Sequence, residues 1–119
     1  MRMGMMRIPC KDLAESEIYY THKLGLTKKF GSPEDGYVGF SLENIDVLIE
    51  LEERGEFECG RFLGFSLVVD DIDTVYKNYM EKGITFTGPP QRQFWGGVMT
   101  HIVDCSGNSF SLVQETKNA

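Results

Sequence analysis

The sequence predicts an α+β fold: two βαβββ modules whose strands form a curved mixed sheet around a cleft. Three observations predict it. Asp12 recurs as Asp71, Gly25 as Gly83, and Ile49-Glu50-Leu51 as Phe110-Ser111-Leu112, about 60 residues on each time. Each half carries one segment of helical spacing, opened by an aspartate and closed by a glycine. The remaining apolar residues alternate with polar ones in short runs, the signature of half-buried strands. We read a single domain of 1–119, with module one at residues 1–52, a linker at 53–61 and module two at 62–115.

Met5–Cys10 is the first strand, with Met6, Ile8 and Cys10 toward a helix. Asp12 is placed to cap that helix, residues 13–24, which sets Leu13, Tyr20 and Leu24 inward and Glu15, Glu17, His22 and Lys23 outward. Gly25 ends it. Residues 26–30 form a short strand, and 31–36 a turn rich in Gly, Ser and Pro. Residues 37–42 alternate with Val38, Phe40 and Leu42 on one side, and residues 47–51 alternate again. Residues 52–60 are polar apart from Phe57 and Cys59 and read as an exposed linker. The order then restarts: a strand at 65–69, a helix at 72–82 closed by Gly83, a strand at 84–87, a Gly88-Pro89-Pro90 turn, a strand at 98–103, a tight turn at 105–108 and a last strand at 110–113. Residues 117–119 read as a frayed end.

Composition narrows the function classes. Apolar residues at 41% and charged residues at 25% are a globular balance, which excludes disorder for the body of the chain. A net charge of −6 repels phosphate backbones, so no nucleic-acid partner is expected. No apolar run is long enough to span a membrane. Cys10, Cys59 and Cys105 are odd in number, lack C-x-x-C spacing and follow no signal peptide, which points to thiols in a reducing cytoplasm.

Asp12-Leu13, Tyr19-Tyr20-x3-Leu24-Gly25-Leu26 and Asp104-x2-Gly107-Asn108 together resemble the vicinal oxygen chelate superfamily. That superfamily includes glyoxalase I, bleomycin-resistance proteins and extradiol dioxygenases. The resemblance runs over residues 5–114, with Cys105 and Ser106 where the family turn usually has Pro and Asp. It implies a cup-shaped cleft, a homodimer and, in the family's enzymes, a divalent metal that polarises vicinal substrate oxygens. The implied ligand positions lie seven residues before each helix-start aspartate and mid-way along the last strand of each half. They hold Met5, Gly64, Glu50 and Ser111. Only Glu50 is a ligand-type residue, so no metal and no cofactor is expected.

Strand alternation assigns the cleft lining: Met5, Arg7, Tyr37, Glu50, Ser66, Val68, Met99, His101 and Ser111, with Trp95 on a loop above. Such a mixed lining suits a small organic ligand. Each member has two readings. Glu50 is either a cleft acid or the partner of Arg7 across the sheet. Arg7 either binds a ligand carboxylate or only pairs with Glu50. His101 is either an acid–base group or a hydrogen-bonded lining residue. Trp95 either stacks on a ligand or packs at a loop or dimer contact. Met1, Met3, Met5 and Met6 either line an adaptable pocket or pack along the N-terminal edge. Cys105 sits in a turn and is reactive only with a lowered pKa.

Three functions follow as alternatives. The first is a metal-free protein, similar to bleomycin-resistance proteins, that binds a small organic ligand. The second is a metal-assisted lyase or dioxygenase-type enzyme with a degenerate site, or one using Glu50 and His101 without metal. The third is a vestigial cleft in a dimeric structural protein.

Overall fold

The computed structural model describes residues 1–116; Lys117, Asn118 and Ala119, expected as a frayed end, lie outside the described residues. The chain divides into two units, Met1–Arg61 with Cys105–Gly107, and Phe62–Asp104 with the chain from Asn108 onward.

In the first unit β1 (Met5–Cys10) runs into Asp12, whose carboxylate accepts the Glu15 amide at 2.9 Å and starts α1 (Leu13–Ile18). The helix read from sequence as 13–24 does not continue as one α-helix. At Tyr19–Lys23 it widens to a π-helical turn, in which the Leu24 amide reaches back five residues to the Tyr19 carbonyl at 3.0 Å. The wider turn brings Tyr19, Tyr20 and Leu24 into the core together, with the two tyrosine rings edge-on at 5.3 Å. β2 (Thr27–Ser32), a 3₁₀ turn at Pro33–Asp35, β3 (Tyr37–Ser41) and β4 (Asp46–Leu51) complete the unit. The strand order is β1-β4-β3-β2, with β1 parallel to β4 and the others antiparallel. Ile8, Cys10, Val38, Phe40, Val47 and Ile49 are buried, and the Tyr20 ring lies against Phe40. Period-two alternation thus packs one sheet face under the helix and leaves the other open. The 105–107 segment closes this unit: the Lys11 amide donates to Ser106 Oγ at 3.0 Å, and the hydroxyl of buried Ser16 lies 3.7 Å from Cys105 Sγ.

The second unit repeats the plan. β5 (Phe62–Val68) precedes α2 (Ile72–Glu81), capped by Asp71 through the Thr74 amide at 3.2 Å. β6 (Thr85–Phe86), β7 (Gln91–Arg92), β8 (Val98–Val103) and β9 (Ser109–Gln114) follow. The order is β5-β9-β8-β6, with β7 also paired on β8 and β5 parallel to β9. Ile72, Ile102, Phe110 and Leu112 are fully buried, and Phe65 stacks on Phe110 at 4.8 Å.

Here too the sequence reading needs correction. β5 begins at Phe62 rather than residue 65; Gly64, with a left-handed φ of 78°, lies where the register against β9 shifts. β7 was not expected, being two polar residues long. Met1 and Met3 are exposed, so they do not pack along an edge. The α+β class stands as expected; the first half keeps the βαβββ order, and the second carries β7 as one strand more. Among the described residues, no helix is long and apolar enough to cross a membrane, and Cys10, Cys59 and Cys105 remain thiols.

The Asp104-x2-Gly107-Asn108 turn is held by buried polar contacts. Asp104 accepts the Asn108 amide at 2.9 Å and its side-chain nitrogen at 3.1 Å, while Asn108 is wholly buried. Asp104→Ala removes the acceptor of both contacts and is expected to destabilise the chain by about 2–3 kcal/mol in urea unfolding.

Candidate functional site

The open face of the first sheet is set by strand register. Three cross-strand rows lie on it: Met5–Asp46–Ser41, Arg7–Leu48–Gly39 and Pro9–Glu50–Tyr37. Arg7 reaches diagonally from β1 to β4, and its Nε donates to Glu50 Oε1 at 2.7 Å. Of the two readings of Glu50, the structure forms the pair. The Arg7 guanidinium also lies 4.6 Å above the ring of Phe57. Phe57 comes from the segment read as a linker, where Glu53 and Phe57 exchange backbone hydrogen bonds of 2.8 and 2.9 Å. The sequence reading missed its role; a lone aromatic in a polar run was the available signal.

Gly39 makes room for a ring on this face. A Cβ there would stand 2.3 Å from the Phe30 ring, and the Phe30 and Tyr37 centroids are 6.1 Å apart. Tyr37 and Met5 are exposed, whereas Pro9, in the same row as Tyr37, is buried.

On the second sheet, Ser66, Ser111 and His101 form one cross-strand row, and Val68, Val113 and Met99 the next. His101 Nδ1 lies 3.0 Å from Ser111 Oγ, and the Phe62 ring meets the imidazole edge-on at 5.5 Å. When Ser111 donates that hydrogen bond, the ring proton sits on Nε2, ready for an acceptor. Ser111 is buried, His101 and Met99 are half-buried, and Ser66 and Val68 are exposed.

Trp95 sits at the tip of the loop between β7 and β8. The Gln93 amide donates to Gly97 O at 2.8 Å, and the Gly96 amide donates to Gln93 O at 2.9 Å, with Gly96 at φ 95°. The Trp95 indole lies on Gly97, where a Cβ would come within 1.8 Å of its ring. Phe94 beside it is fully exposed.

The first unit therefore gathers Met5, Arg7, Tyr37 and Glu50. The second gathers Ser66, Val68, Met99, His101 and Ser111, with Trp95 on its own loop. A surface pocket missed in the sequence is lined by Glu52, Arg54, Glu58 and Cys59. The Cys59 amide, with help from Lys11, holds the Glu52 carboxyl below its usual range. The Gly55 amide and Arg61 do the same for Glu58.

The four implied metal positions hold Met5, Glu50 engaged by Arg7, Gly64, and Ser111 bonded to His101. Among the described residues, no three His, Cys, Asp or Glu side chains cluster so as to hold a metal. A thioether, a bare backbone position, a hydroxyl and one committed carboxylate do not fit a divalent ion.

The family model described as Glyoxalase/Bleomycin resistance protein/Dioxygenase superfamily matches residues 2–112. A solved member of that superfamily from Sphaerobacter thermophilus DSM 20745 is 30% identical, with a TM-score of 0.86 over 97% of this chain and 98% of its own. The antibiotic binding protein TnmS3 from Streptomyces sp. CB03234 has a TM-score of 0.82 at 19% identity, over 98% and 97%. A lactoylglutathione lyase from Agrobacterium tumefaciens has a TM-score of 0.79 at 19% identity, over 95% and 92%. The last two likenesses show the fold alone. No curated protein matches the chain.

Proposed function

The chain belongs to the Glyoxalase/Bleomycin resistance protein/Dioxygenase superfamily, and from that premise we propose that it binds a small organic ligand on its open strand faces without a tightly held metal. The observation that carries this reading is the donor set. The one carboxylate at an implied metal position is spent on Arg7, and the hydroxyl at another is spent on His101. What remains on these faces is aromatic, aliphatic and hydrogen-bonding, the lining that orients organic molecules. Sequestration in a reducing cytoplasm, by a homodimer, belongs to the same proposal.

Two measurements test it. Elemental analysis after mild dialysis is expected to find metal far below one ion per chain; stoichiometric nickel, zinc or iron overturns the metal-free reading. Thermal shift then compares antibiotics with aldehyde–glutathione adducts. A ligand at a hundred times its Kd adds about 2.7 kcal/mol, a rise of about 10 °C for a chain of this size. Such a shift without turnover supports binding. Turnover of an adduct replaces it with the enzymatic alternative, and no shift with any compound leaves the vestigial one.

A further inference from the structure

We infer, resting on the ligand-binding reading above, that Arg7 is the docking point for the carboxylate of a flat aromatic ligand whose ring lies toward Phe30 and Tyr37. A guanidinium carries five N–H donors. Arg7 uses one of them, Nε, on Glu50, and its guanidinium carbon lies over the Phe57 ring at 4.6 Å. Among the described residues, no other acceptor is bonded to it. The end-on edge, with both terminal nitrogens, is therefore left for a partner from outside the chain. Its parallel donors match the two oxygens of a carboxylate, whereas a lone carbonyl would use only one.

The brace matters as much as the open edge. An arginine on a sheet surface ordinarily samples many rotamers, and a ligand must freeze them on binding. Glu50 and Phe57 hold this one beforehand, so less freedom is lost on binding. Glu50 does not block the outer edge, because one guanidinium can serve two carboxylates along different edges.

Register places the rest of the ligand. Arg7 shares its row with Leu48 and Gly39, and the Phe30 ring covers Gly39. Two strand spacings, about 10 Å, separate the ends of that row. A fused two-ring carboxylate matches it, with the acid at Arg7 and the ring over Leu48 against Phe30 and Tyr37. The whole-chain charge of −6 does not argue against this, since the local fork and not the net charge decides the contact.

Sodium 2-naphthoate is the probe, 2-naphthamide its neutral control, and the Arg7 Nε–H resonance of the full chain the readout. Naphthoate is expected to shift that resonance saturably. R7Q, at an exposed position, keeps its unfolding midpoint and binds naphthoate at least about tenfold more weakly; R7K, with charge but no fork, falls between. Naphthamide binds all three proteins alike and weakly. Naphthoate binding to R7Q within about twofold of wild type overturns the inference while leaving the ligand-binding reading in place. Binding of other ligands without naphthoate does the same. If neither naphthoate nor any other compound binds, the broader reading falls and takes this one with it.

Discussion

Replacing Phe110 by alanine is expected to cost about 3–5 kcal/mol of stability. Phe110 lies on β9, between β5 and β8, and is wholly buried. Its ring stacks on Phe65 at 4.8 Å with the planes 14° apart, and it stands opposite buried Ile102 across β8. Truncation leaves a cavity that neighbours on three strands cannot close, so the lost transfer energy and the cavity cost add. In urea the midpoint should fall by about 2 M at unchanged slope. Val68→Ala, at an exposed position on the other face, is the control and should stay within about 0.5 kcal/mol. A Phe110→Ala loss no larger than that of the control would mean that the second unit's core lies elsewhere.

Gly97→Ala is expected to lift Trp95 off its seat. The methyl group would fall 1.8 Å from the indole, an overlap no rotamer adjustment of alanine can relieve. The ring must swing out or the β7–β8 loop must shift, at a cost of about 1–3 kcal/mol. Trp95 is the chain's one tryptophan, so its fluorescence reports the change directly. Emission should move to longer wavelength and acrylamide quenching should rise. Unchanged emission in Gly97→Ala would place the indole elsewhere.

The repeat was legible because each half writes it in strong signals: an aspartate cap, a helical run, a closing glycine and alternating strands. What was not legible lies where local geometry or pairing departs from those signals. The π-turn at Tyr19–Lys23 adds a residue that a 3.6-residue pattern cannot show. Gly64, at a left-handed φ where the register against β9 shifts, extends β5 back to Phe62. β7 is carried by pairing to Val98 and Met99 rather than by any pattern of its own. At the site, alternation sorted Arg7, Glu50, His101 and Ser111 onto the right strands, but it cannot give a diagonal. The reach of Arg7 to Glu50, and of Phe57 onto Arg7, depends on side-chain length and on a backbone turn in a polar segment. The His101–Ser111 bond depends on register, which a single sequence leaves open.

The three residues that close the first unit, 105–107, follow its last strand only after most of the second unit has been made. A chain leaving the ribosome N-terminus first has all four strands of that sheet once Leu51 is out. The Ser16 hydroxyl and the Lys11 amide must still wait for Cys105 and Ser106. Translation thus lays down the sheet of the first unit before the segment that seals it. In the interval the nascent chain carries an unfinished helix face, the kind of surface that chaperones hold until the closing segment arrives.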